Sequence, residues 1–136
     1  MSWKHTFFLA IVAGLLAFGA AWIMTKIYAT AFYVDYSSVI HTSNLLASCI
    51  LGCTLMALGY KLAFRIFKQR GITWINLLYA ILSYASIAGV LGFNLPLEIE
   101  SPELFPGMVI PMHFFPLLAL LLVYPFFNPN KPLASS

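Results

Sequence analysis

His41, Asn44 and Ser48 stand at i, i+3 and i+7, a spacing that puts all three on one face of a helix. His113 lies early in the last apolar stretch, and Asn94 closes the stretch before it. Such side chains cost free energy in hydrocarbon unless paired, so they turn toward a bundle interior or a wet cavity. Imidazoles titrate near neutral pH and bind protons or transition metals. Glu98 and Glu103 lie between Asn94 and His113, where they could complete a site or concentrate cations and amines at its mouth. The expected candidate is a small ligand-binding pocket of His41, Asn44, Ser48, Asn94, His113, Glu98 and Glu103. The reading favoured over that pocket is packing alone, since interhelical polar pairs are commonly structural and contribute of order 1 kcal/mol each. Zinc sites bring closely spaced ligand pairs, which these histidines lack, so no metal, cofactor or catalytic residue is assigned.

The elements that must position these groups follow from composition. Of the 136 residues, 62% are hydrophobic and 8% charged, with a mean hydropathy of +0.92. A typical soluble domain is about 25% charged, and so apolar a surface in water would associate. A polytopic membrane protein is the economical alternative. A hydrocarbon core of about 30 Å needs about 20 helical residues. Four apolar segments meet that length, at about 7–28, 37–64, 72–95 and 108–127. The expected fold is all-α, an integral membrane four-helix bundle of up-down topology forming a single domain over 1–136.

Charge placement sets the expected orientation. All four acids lie in two connections: Asp35 in the first, and Glu98, Glu100 and Glu103 in the third. Lys4, Lys61, Arg65, Lys68, Arg70 and Lys131 occupy the amino terminus, the second connection and the carboxyl terminus. Only Lys26 is basic on the acidic side. By the positive-inside bias both termini are cytoplasmic, in what reads as a bacterial cytoplasmic membrane. The net charge of +3 then reports topology, and no nucleic-acid partner is expected. Helix rise puts His41 about 6 Å, Asn44 about 10 Å, Asn94 about 3 Å and His113 about 9 Å below the outer surface.

Several finer expectations follow. Lys4 and the run after it resemble a signal peptide, but the run continues to Tyr28 and reads as an uncleaved first helix. Cys49 and Cys53 read as small apolar fillers. Gly71 reads as a stop signal after a second helix that runs past Tyr60. Small residues along the first three helices predict a tight trio, with the bulky fourth helix packed more loosely. Pro111 and Pro116 predict a break near His113. Five of the eight prolines lie between Pro96 and Pro116 and predict a stiff non-helical cap, apolar side down and glutamates up.

The leading functional expectation is a non-enzymatic accessory subunit or scaffold embedded in the lipid bilayer, with a protein partner or a homodimer as its assembly. The alternatives are a small dimeric transporter or channel for a cation or amine, and a membrane enzyme acting on a lipid-soluble substrate. In size the chain resembles small multidrug exporters, but its first helix lacks the glutamate they rely on, so the resemblance ends there.

Overall fold

The computed structural model describes residues 2–93, 95–96 and 98–127, all but Gln69 with their side chains. Asn94, Leu97 and Lys131 lie outside the described residues. Helix α1 runs Trp3–Phe32, α2 Thr42–Lys68 and α3 Arg70–Gly92. A 3-10 turn at Pro102–Leu104 leads into α4, Phe105–Met112, and α5, Phe115–Phe127. Among the described residues there is no strand. Four stretches are long and apolar enough to cross a membrane: α1, α2, α3 and the composite Pro102–Phe127.

Local chemistry explains where these boundaries depart from the apolar segments. The Ser2 hydroxyl accepts the His5 amide at 3.3 Å, an N-cap that starts α1 before residue 7. At the other end α1 continues past residue 28, with the hydroxyls of Thr25 and Thr30 satisfied by the carbonyls of Trp22 and Lys26 within the helix. Tyr33, with a φ of 56°, ends it in a left-handed cap. The second helix begins at Thr42 rather than 37, because a tight turn takes the intervening residues. Asp35 accepts the Ser37 amide at 2.8 Å, and the Tyr36 carbonyl accepts the amides of Val39 and Ile40.

Helix α2 does run well past Tyr60. The break falls at Lys68 (φ 53°, ψ −132°), not at Gly71, which belongs to the first turn of α3. Gly71 has a different use. A Cβ there would stand 2.4 Å from the Ala63 carbonyl oxygen and 2.9 Å from the Phe67 Cβ, so only glycine lets the two helices fold back this closely.

The prolines also act differently from expectation. Pro102 and Pro106 occupy opening positions of the 3-10 turn and of α4, where a missing N–H is no loss. They initiate helix instead of suppressing it, so the fourth stretch starts before residue 108. The expected break near His113 is present. The amides of His113 and Phe114 fall back on Ile110 and Pro111 at 3.2 and 3.0 Å, and α5 resumes at Phe115.

The expected tight trio of α1, α2 and α3 is overturned. Ala10, Ala13, Gly14, Ala17 and Ala21 make the buried face of α1. That face receives Leu117, Leu120 and Val123 from α5, and Cys49, Cys53 and Ala57 from α2. A third of the apolar window is buried in α1 and in Pro102–Phe127, against 11% in α3. A groove lined with alanines accepts branched side chains more closely than a second small-residue stripe does, and dispersion contact decides helix association in lipid. Helix α3 joins this core through its first half, with Ile72 and Tyr79 buried and Ile75 and Ala80 packed against them.

Candidate functional site

The sequence candidates do not share one cavity. His41 caps α2 without a side-chain hydrogen bond and is exposed, as are Asn44 and Ser48 one and two turns on. Glu98 and Glu103 are exposed on the cap. His113 is half-buried, its Nδ1 donating to the Val109 carbonyl at 2.9 Å. It lines an open groove of about 280 Å3 with Ser86, Gly89 and Val90 of α3 and Phe105 and Val109 of α4. Among the described residues, no three His, Cys, Asp or Glu side chains gather closely enough to hold a metal ion.

The physical reason lies on α2. Its buried face is Cys49, Cys53, Ala57 and Tyr60, with Leu45 half-buried in line. The polar stripe of His41, Asn44 and Ser48 is offset from that face by one residue, about 100° of helix. The signal that could have found it was in the cysteines. Cys53 is wholly buried and donates its thiol to the Pro116 carbonyl across 3.7 Å, at the break in the fourth stretch.

The side chains that do converge lie where α1, the 33–41 connection and α2 meet. Trp22, Thr25, Lys26, Asp35, Ser37 and Thr42 line a cavity of about 80 Å3 there. Ile40, Leu45 and Met108 supply its apolar wall. Lys26 Nζ stands 5.4 Å from the centroid of the Trp22 ring, within cation–π range. Asp35 accepts the Ser37 amide at 2.8 Å and the Ser37 hydroxyl at 3.0 Å. Those two bonds hold its carboxyl below the usual range, against some desolvation, and the Lys26 charge adds to them. Lys26 was legible in the sequence as the lone cation among the acids. Its meeting with Asp35 across a turn was not.

This cavity sits on a second, smaller core. Tyr36 donates its hydroxyl to the Ser101 carbonyl at 2.5 Å and meets Phe105 edge-on at 5.3 Å. Val34, Phe105, Met108 and Met112 complete the cluster, with Leu95, Ile99 and Leu104 partly buried against it. The cap thus turns Leu95, Ile99 and Leu104 to this core and leaves Glu98, Glu100 and Glu103 exposed. Burial, with Glu103 adding, raises the Tyr36 phenol above its usual value.

The opposite end of the bundle carries a polar aromatic cluster. Tyr60 donates to Asn76, Tyr79 donates to the Met56 carbonyl at 2.8 Å, and Tyr60 stacks on Tyr124 at 4.9 Å. Lys61 Nζ stands 3.1 Å from the centroid of Trp3, joining the start of α1 to α2.

No protein-family model, curated protein or solved structure matches this chain. Between the two polar ends the bundle is filled by Leu9, Ala13, Cys53, Leu117 and Leu120, each at most 6% exposed. A centre of this kind is packed with apolar side chains, and the polar side-chain clusters lie toward the ends.

Proposed function

We propose that the chain crosses a bacterial cytoplasmic membrane four times, up and down, with both termini cytoplasmic, and acts as a non-enzymatic accessory subunit. The observation that carries this reading is the surface of α3. Trp74, Leu77, Ile81, Tyr84 and Leu91 stand 51–70% exposed along it, and only 11% of its apolar window is buried. Ala85, Gly89 and Gly92 share its outer half, and a Cβ on either glycine would meet nothing within 4 Å. Small residues at an open helix face let a neighbouring backbone come close, which is how helices associate in lipid. The filled centre between α1, α2 and α5 favours this reading over transport through a single copy.

The test is the size of the assembly in mild detergent. Gly89→Leu and Gly92→Leu together should release the 15.1 kDa protomer, while Gly19→Leu on α1, where the space is equally open, should leave the assembly intact. A wild-type chain that runs as a lone protomer from native membranes would end the accessory-subunit reading.

A further inference from the structure

Lys26 breaks the charge pattern of the chain. It is the one basic residue on the acidic side, and it lies six residues before the end of α1, about 9 Å of helix rise from Phe32. The 30 residues of α1 rise about 45 Å against a hydrocarbon core of about 30 Å, so the exposed Lys26 stands near the membrane interface, within reach of a lipid phosphate. Asp35 lines the same cavity of about 80 Å3, yet among the described residues no ion pair closes between the two. Each is held by its own neighbour, Lys26 against the Trp22 ring and Asp35 by both bonds from Ser37. Opposite charges tethered on either side of one small cavity fit a ligand that carries both signs.

A second cavity says what kind of ligand. An open groove of about 410 Å3 on α1 shares Trp22 and Lys26 with the first and continues along Ile23, Ile27 and Ala31. The polar cavity and this apolar face of α1 therefore lie on the two sides of the Trp22 and Lys26 side chains, which both of them touch. A headgroup in the first and a hydrocarbon chain along the second is the arrangement of a membrane lipid.

We propose that this cavity and the apolar face beside it bind one phospholipid with a primary-ammonium headgroup, of the phosphatidylethanolamine class, its phosphate at Lys26 between them. Lys26 meets the phosphate, an ion pair strengthened by partial removal from water. Asp35 accepts the headgroup ammonium, with Ser37 keeping the carboxylate in place. Trp22 packs beside the glycerol region, where amphipathic rings settle at a membrane interface. The site stands apart from the α3 surface, so neither reading depends on the other.

Native mass spectrometry of the purified chain with phosphatidylethanolamine and phosphatidylglycerol of matched acyl chains tests it. Wild type should retain the ethanolamine lipid about tenfold over the glycerol lipid, the size of one charged hydrogen bond. Asp35→Asn should level that preference while glycerol-lipid binding persists, which a misfolded chain would not do. Lys26→Met should weaken both lipids about tenfold, since both carry the phosphate. Equal retention of the two lipids by wild type, or unchanged selectivity in Asp35→Asn, overturns the proposal. Displacement of the lipid by an equal concentration of soluble glycerophosphoethanolamine would also overturn it, assigning the charges to a free zwitterion.

Discussion

At the scale of single residues, space around a glycine says more than its mere presence in an apolar segment. Gly71 and Gly19 are both glycines of apolar helices, but only one is boxed in. A side chain at Gly71 meets a backbone carbonyl and the Phe67 Cβ, neither of which can swing away. Gly71→Val should lower the thermal midpoint in detergent, through an overpacking cost of about 1–3 kcal/mol. Gly19→Ala should instead raise it slightly, as nothing lies within 4 Å and a mid-helix glycine costs about 0.5–1 kcal/mol relative to alanine. Thermal unfolding followed by circular dichroism separates the two. Equal midpoints would mean that α2 and α3 do not fold back as closely as described. Polarity at a residue was likewise an incomplete guide. His41, Asn44 and Ser48 were legible as a stripe, but their type does not say whether the stripe turns inward.

Elements bring a different kind of constraint, best seen in the cap. Tyr36 ties the first connection to the third through the Ser101 carbonyl, and its phenol is held neutral by burial and by Glu103. A raised folded-state value means that this contribution is full below the ordinary 10.0 and is lost as pH rises through the raised value. Wild-type thermal stability should therefore fall more steeply than that of Tyr36→Phe above about pH 10. At neutral pH the variant should be weaker by about 1 kcal/mol, the net contribution of one hydrogen bond. Parallel pH profiles for the two proteins would show that the hydroxyl does not bear on the cap. The cap's amphipathic order was readable from alternating apolar and acidic residues. Its prolines were misread, because proline breaks a helix it enters late and favours one it begins.

For the whole molecule the test is sidedness. Cys49 and Cys53 are buried, so a thiol introduced as Glu100→Cys would report alone. An impermeant reagent should label it in intact cells if the acidic cap faces outward. Labelling only after rupture would reverse the orientation and, with it, the leaflet from which the lipid at Lys26 is drawn. The amino-acid sequence determined the four apolar helices, the break beside His113 and the separation of acids from cations. Each depends on residues close together in the chain, read against the thickness of a bilayer. Only the tertiary structure decided which faces meet. In lipid, solvent does not reward burying one apolar face over another, so the choice falls to shape. Branched side chains of α5 fill the alanine groove of α1, and α2 turns its Cys49–Cys53 face to the same core. That packing leaves His41 outside and brings Lys26 and Asp35 to one cavity.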